Sequence, residues 1–366
     1  MAIPKDKMKK KSEGKPSKKS KKTTDMDFGT APLSKEDISE VLAGMRADLG
    51  DGVMLADGTD LNVGIRGVIS TQCVALDAAI GRGGVPLGRL TILHGPEGCG
   101  KTTLALHVVA ECQRKGGIAV YLDKEYKLDM EYAEKMGVDR SRFFLHQPST
   151  LEEAFMYHEV AIKHAALLRE RIGRRVPVVC VLDSMNAAIT KAQFDGEWDS
   201  QHMAPQARVY SQNLPKLMPI VYREDVALVW ISQVRQKMNV KFGNDEEIAG
   251  GKGPRFYASL IIHIRRVGSL KKNDEAFGNL TKAVIRKNQI APPFREAEFV
   301  IRYGFGIDNE RSILEQAVGE GVVEKSGSWF AYDGNKLGQG MDAAADFLRE
   351  RTEVRDEIWQ KVQELS

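Results

Sequence analysis

Gly95-Pro96-Glu97-Gly98-Cys99-Gly100-Lys101-Thr102 decides how this chain is read. The stretch fits G-x-x-x-x-G-K-[ST], a phosphate-cradling loop that requires a strand before it and a helix after it. The apolar run Leu90-Thr91-Ile92-Leu93 predicts the strand. Leu104, Leu106, Val108 and Val109, set among good helix formers, predict the helix. Glycines allow backbone N–H groups to curl around a phosphate chain, and the helix N-terminus adds partial positive charge behind them. Lys101 is then placed to reach the β- and γ-phosphates, and the Thr102 hydroxyl to ligate Mg²⁺. The stretch implies a nucleoside triphosphate site.

Outward from the loop, strands and helices alternate from about Val68 to Arg302, which predicts an α/β fold with a mostly parallel sheet between helices. Ile118–Leu122 reads as a buried strand running into Asp123-Lys124-Glu125. Val178–Leu182 leads into Asp183-Ser184, and Val226–Ser232 into Gln233. Ligands of such sheets bind at the carboxyl ends of the strands. Asp123, Glu125, Asp183, Ser184 and Gln233 all stand at such ends, so they are expected to converge on the bound phosphates.

At 366 residues the chain holds one large domain and a smaller one. No apolar run approaches a membrane span and no signal-peptide core appears. Cys73, Cys99, Cys112 and Cys180 are scattered with no CxxC pair, which predicts packed thiols in a soluble, cytoplasmic protein. The net charge of +3 conceals a segregation, because residues 1–22 carry ten lysines against Asp6 and Glu13. That local balance of +8 leaves −5 for the remainder, so any basic surface on the folded body must be local.

Residues 1–32 are read as a disordered tail, either a solubiliser or a polyanion tether. Ser34-Lys35-Glu36-Asp37 is a capping box, with Leu33 and Ile38 as its hydrophobic staple. The helix it opens carries Ile38, Val41, Leu42, Met45 and Leu49 on one face, and a Gly-rich linker follows to residue 62. That stripe requires a partner, either its own domain or a neighbouring subunit. Residues 63–305 form the main domain and 306–366 a small α+β domain, with a hairpin expected at Ser328–Gly334. Two stretches read as loops, Gln193 to Pro205 and Val234 to Gly253. The second is roughly twenty residues long, beyond ordinary connections. Its Arg235, Lys237, Lys241, Phe242 and Lys252 suit single-stranded nucleic acid, by phosphate neutralisation and base stacking.

From about Ser34 to Leu365 the chain resembles the bacterial RecA recombinases, as a divergent member. The resemblance is carried by Leu76-Asp77 with Gly81, the loop Gly95 to Thr103, Asp123 with Glu125, and Met136-Gly137-Val138-Asp139. It continues through Gly196-Glu197, His202-Met203, Phe242-Gly243-Asn244, Gly250-Gly251 and Phe256-Tyr257-Ala258-Ser259. Ile264-Arg265-Arg266 and Gly338-Gln339-Gly340 complete it. The resemblance implies a RecA-type ATPase core with an N-terminal polymerisation helix and a small C-terminal domain. It implies a helical homo-oligomeric filament on single-stranded DNA, ATP and Mg²⁺ between subunits, and strand exchange with homologous double-stranded DNA. Glu125 would polarise the attacking water beside Lys101, Asp183 would act on Mg²⁺, and Gln233 would sense the γ-phosphate. Asp129 and Tyr132 would hold adenine, with Thr103 closing the phosphate loop. The two loops would bind DNA through Met203, Arg208, Arg235, Lys237, Lys241, Phe242, Gly250, Gly251 and Lys252.

The chain also departs from the family pattern. Cys99 replaces a serine, and Lys252 an asparagine. Lys124, Tyr126 and Lys127 surround Glu125, and the added cations are expected to weaken it as a base. The acidic C-terminal tail of bacterial members is missing from the sequence. In Val284–Ile290 the family's two lysines, which reach the adjacent subunit's ATP, become Lys287 and Gln289. Strand alternation predicts that Lys287 and Gln289 share a face while Arg286 points away. Two other readings share the core: a ring-shaped motor or helicase, and an ATP-switched coat for single-stranded DNA with weak hydrolysis.

Overall fold

The computed structural model describes residues 34–49, 64–197, 205–236, 246–272 and 274–365. The chain divides into two compact units, Met1–Leu61 and Asn62–Ser366. In the first, α1 (Lys35–Leu49) begins at the capping box. The Asp37 N–H donates to Ser34 Oγ at 3.0 Å, and the Ser34 N–H donates to Asp37 Oδ2 at 3.0 Å. The Lys-rich tail, the staple residue Leu33 and the linker from 50 to 63 lie outside the described residues.

The second unit opens with β1 (Val68–Ile69), α2 (Val74–Ile80) and β2 (Val85–Pro86). Next come β3 (Leu90–Gly95), α3 (Lys101–Arg114), β4 (Ile118–Asp123), α4 (Met130–Lys135), β5 (Phe143–His146) and α5 (Leu151–Ile172). They are followed by β6 (Val178–Asp183), α6 (Lys191–Phe194), α7 (Pro205–Arg223) and β7 (Val226–Gln233). The strands β8 (Arg235–Gln236) and β9 (Glu246–Glu247) pair antiparallel. Beyond them lie α8 (Lys252–Tyr257), β10 (Ala258–Lys272), β11 (Glu275–Asn288), β12 (Glu296–Arg302) and β13 (Gly306–Ile307). The C-terminal part comprises α9 (Asn309–Gly319), β14 (Glu324–Ser326), β15 (Trp329–Tyr332), β16 (Asn335–Gln339), α10 (Met341–Glu350) and α11 (Thr352–Leu365).

Nine strands build the main sheet in the order β13-β12-β11-β10-β3-β7-β6-β4-β5. From β10 to β5 the neighbours run parallel, and β11, β12 and β13 extend the sheet antiparallel. Helices cover both faces, which explains why the central strands are continuous apolar runs. Val179, Val181, Val229 and Ile231 pack on one face with Leu104 and Val108 of α3. Cys180, Leu182, Leu228 and Trp230 pack on the other with Ile162 of α5 and Leu214 of α7. All four cysteines are buried and free. No helix among the described residues is long and apolar enough to cross a membrane.

The C-terminal sheet, β14-β15-β16, packs with its helices around Phe330, Leu337, Leu348, Ile358 and Val362. The expected hairpin forms, with Asp333 (φ 48°) and Gly334 (φ 74°) as its two-residue turn. Both long loops are shorter than the sequence suggests. Gln193 sits in the one-turn α6, Pro205 begins α7, and the stretch from Val234 contains the β8–β9 ladder and the start of α8. In the second stretch the β8–β9 pairing, internal to it, overrides its polar composition. The Thr190–Gln193 capping box does this at α6.

Two histidines are neutral structural members of the core. The Ile307 N–H donates to His107 Nε2 at 2.9 Å, and the Trp230 indole N–H donates to His158 Nε2 at 3.3 Å. Burial drives both rings from the ordinary 6.5 down to about 4. The unfolded chain therefore binds protons below about pH 6.5 that the folded chain refuses until about pH 4. Stability is complete above that window and falls within it, by up to about 1.4 kcal/mol per pH unit for each ring. Melting temperatures between pH 7.5 and 4.5 are expected to drop accordingly. A curve flat across that range would mean that these rings protonate inside the fold.

Candidate functional site

The carboxyl ends of β3, β4, β6 and β7 meet at one cavity of about 420 Å³. Its wall includes Glu97, Gly98, Gly100, Lys101, Thr102 and Thr103 from the loop, with Asp123, Glu125, Asp183 and Gln233 from the other strand ends. The expected convergence is therefore present. The loop glycines are required for different reasons. A Cβ on Gly95 would stand 2.0 Å from the Ile264 carbonyl oxygen of β10, so close packing of adjacent strands excludes a side chain there. Gly100 has φ 97°, and a Cβ would lie 2.2 Å from Ile301 Cδ1. Pro96 and Cys99 complete the loop, and Cys99 Sγ lies 3.7 Å from the Lys101 amine.

Lys101 is folded back on its own loop and is only 6% exposed. It donates to the Gly95 carbonyl at 3.0 Å and to the Pro96 carbonyl at 2.5 Å. Thr102 Oγ1 donates to Asp183 Oδ2 at 2.7 Å, and the Tyr121 hydroxyl donates to the same oxygen at 2.8 Å. Burial pushes the Asp183 carboxyl up, against the opposing pull of those two hydroxyls. A hydroxyl beside a carboxylate is the oxygen donor pair that suits Mg²⁺, which takes one or two protein ligands and completes its shell with phosphates and water.

Glu125 accepts both of its side-chain hydrogen bonds at one oxygen. Gln233 Nε2 donates to its Oε1 at 2.8 Å, and Ser184 Oγ donates to the same oxygen at 2.6 Å. Its Oε2 lies 3.6 Å from Lys127 Nζ. Lys124, expected beside Glu125, turns away. It is buried and donates to the Pro148 and Ser149 carbonyls at 2.6 and 2.9 Å. Of the two expected cations, therefore, Lys127 alone reaches Glu125. The difference arises because Lys124 follows the last strand residue and points to the connection between β5 and α5, a direction that spacing does not reveal.

Tyr132 lines the cavity, and its hydroxyl pairs with Thr103 Oγ1 at 2.8 Å. Asp129 is not among the lining residues. Its carboxylate caps α4, accepting from the N–H groups of Glu131 and Tyr132 at 2.9 and 3.2 Å. Tyr303, Asn279, Ile301 and Arg302, none of them singled out in the sequence, close the cavity from β11, β12 and the turn after it. The Tyr303 hydroxyl donates to Asn279 at 2.7 Å. The Gly-rich punctuation at Tyr303–Gly306 was the signal available for that turn. Asn186 and Ser232 anchor the ends of the long connection. The Gln233 N–H donates to Asn186 Oδ1 at 2.8 Å, and the Ala249 N–H donates to Ser232 Oγ at 3.1 Å.

A second cavity of about 560 Å³ is lined by Lys252, Arg255, Arg286, Lys287, His94 and His263, among others. Here the alternation argument fails. Ile261 pairs with Lys287 and Ile262 with Ile285, so Arg286 is the extra residue of a β-bulge. The bulge brings Arg286 to the same cavity as Lys287. Lys287 Nζ donates to the Arg255 and Phe256 carbonyls of α8 at 2.9 and 3.0 Å. Burial, then the neighbouring Arg255, lowers its proton affinity. Gln289 is exposed at the end of β11.

Of the expected DNA contacts, Arg208 is exposed near the start of α7, and Gly250, Gly251 and Lys252 lead into α8. Met203, Lys237, Lys241, Phe242 and the side chain of Arg235 lie outside the described residues.

Comparison with known proteins matches residues 36–308 to the RecA N-terminal domain and residues 311–366 to the RecA C-terminal domain. Protein RecA of Corynebacterium efficiens is 42% identical over 325 residues, 89% of this chain and 81% of that protein. Protein RecA of Bifidobacterium longum is 42% identical over 333 residues, 90% of this chain and 81% of that protein. Protein RecA of Geobacter sulfurreducens is 41% identical over 329 residues, 90% of this chain and 94% of that protein.

Proposed function

The chain belongs to the RecA family, and from that premise we propose how its own residues carry out the family's work. It is a recombinase and a DNA-dependent ATP hydrolase. ATP occupies the 420 Å³ cavity, with its phosphates on the loop Gly95–Thr103 and its base beside Tyr132 and Tyr303. Thr102 and Asp183 hold Mg²⁺, which when bound offsets phosphate charge. Glu125 takes a proton from the attacking water as the new P–O bond forms at the γ-phosphorus and the bond to the β-phosphate oxygen breaks. The observation that carries this reading is the pairing of Glu125 with Gln233, 2.8 Å apart, at the end of the strand that leads into the long connection. Gln233 thereby relates the γ-phosphate to the stretch proposed to hold single-stranded DNA.

Assembly follows from the same residues. Subunits stack as a helical filament on single-stranded DNA, α1 docks on a neighbour, and Lys287 with Arg286 faces the adjacent subunit's ATP. Homologous duplex is the exchange partner. The ring-motor and coat readings are not favoured, because both RecA domains match along nearly the whole chain. ATP hydrolysis with and without single-stranded DNA, with electron microscopy of the same sample, tests the proposal. Stimulated hydrolysis together with filaments is expected. Closed rings, or hydrolysis indifferent to DNA, would overturn it.

A further inference from the structure

The turn after β4 carries one cation whose position the reaction described above does not explain. The Asp123 carboxylate grips this turn by accepting from the N–H groups of Glu125, Tyr126 and Leu128 at 3.0, 2.9 and 3.2 Å. Tyr126, at φ 57°, makes the sharp bend between them. The backbone on both sides of Lys127 is thus pinned, while the Lys127 side chain is 71% exposed and lines the nucleotide cavity. Its one ion-pair partner in the described structure is Glu125 Oε2, the carboxylate oxygen left over by Gln233 and Ser184. Lys101, the loop's own cation, is meanwhile occupied with the Gly95 and Pro96 carbonyls.

We propose that Lys127 is a terminal-phosphate contact within the same subunit, which exchanges Glu125 Oε2 for an oxygen of the γ-phosphate when a nucleoside triphosphate binds. The exchange is driven by charge. An exposed Lys–Glu pair is weakly held, whereas a triphosphate brings several negative charges into a cavity whose other cations are engaged, Lys101 by the Gly95 and Pro96 carbonyls and Arg302 by Asp308 and Asp346. One movement then has two effects. The γ-phosphate gains a donor, and Oε2 is released to accept a proton from water. A diphosphate lacks the oxygen that draws Lys127 across, so Glu125 remains paired. The added cation therefore works as a switch on Glu125 that the triphosphate operates. This inference rests on the reading of Glu125 as the proton acceptor.

The test measures binding, which does not depend on hydrolysis. The affinities of the full chain for a non-hydrolysable imidotriphosphate analogue of ATP and for ADP are compared, with Mg²⁺, in the parent and in Lys127→Met and Lys127→Arg. The preference for triphosphate is expected to fall about fivefold in Lys127→Met, with ADP affinity unchanged, and to be kept in Lys127→Arg, as suits one partly screened charge contact. Glu125→Gln should strengthen triphosphate binding in the parent by releasing Lys127, and should have no such effect in the Lys127→Met background. An unchanged preference in Lys127→Met, or additive effects in the double variant, would overturn the inference. Retained hydrolysis in Glu125→Gln would instead overturn the reading on which it rests.

Discussion

Glu125→Gln is expected to lower DNA-stimulated ATP hydrolysis by about two to four orders of magnitude, the range for loss of a general base. ATP-dependent DNA binding should survive. The amide is nearly isosteric with the carboxylate, and its oxygen can still accept from Gln233 Nε2 and Ser184 Oγ, which hold Oε1 at 2.8 and 2.6 Å. What the substitution removes is the capacity of the other oxygen to take a proton. The cavity wall, with Lys101, Thr102 and Asp183, is otherwise unaltered. Single-turnover hydrolysis and DNA binding measured on the same preparation separate the two effects. If the variant hydrolyses ATP at the parent rate, proton acceptance belongs to another strand-end carboxylate, and Asp123 is the next to examine.

Lys287→Ala is expected to lose nearly all DNA-stimulated hydrolysis, by about three orders of magnitude or more if it acts as a cationic finger on the transferring phosphoryl group. Arg286→Ala should also reduce it. The bulge in β11 places both side chains on the cavity they share with Lys252 and Arg255, so Arg286 is expected to supply the charge lost at Gln289. Gln289→Lys should accordingly add little. Lys287 also donates to two carbonyls of α8, so a structural effect must be separated from a catalytic one. Melting temperature and DNA-free hydrolysis serve for that, and both should stay close to the parent. Full stimulated activity in Arg286→Ala beside a dead Lys287→Ala would restore strict alternation as the better description of this strand.

How much of this was legible in the sequence depends on the range of the interaction that sets each feature. The loop Gly95–Thr102, its flanking strand and helix, the capping box at Ser34 and the turn at Asp333-Gly334 are determined by residues a few positions apart. Steric and hydrogen-bonding rules read from the sequence therefore locate them. The convergence of Glu125, Asp183 and Gln233 was likewise legible, because parallel strands must present their carboxyl ends together.

Tertiary structure decided the rest. Whether Lys124 or Lys127 faces Glu125 depends on the Pro148 and Ser149 carbonyls, which come from a different strand–helix connection. The release of Asp129 from the cavity follows from its capping of α4, and the arrival of Tyr303 and Arg302 from the antiparallel pairing of β11 with β12. The need for glycine at position 95 is set by a carbonyl on β10, 169 positions further along the chain, as much as by any phosphate. Arg286 joins Lys287 because β11 gains one residue against β10, an event of pairing that leaves no mark in the pattern of β11 itself. A side chain's type is written in the sequence, but its direction is set by the partner strand or carbonyl that packing brings beside it, and that partner is remote along the chain.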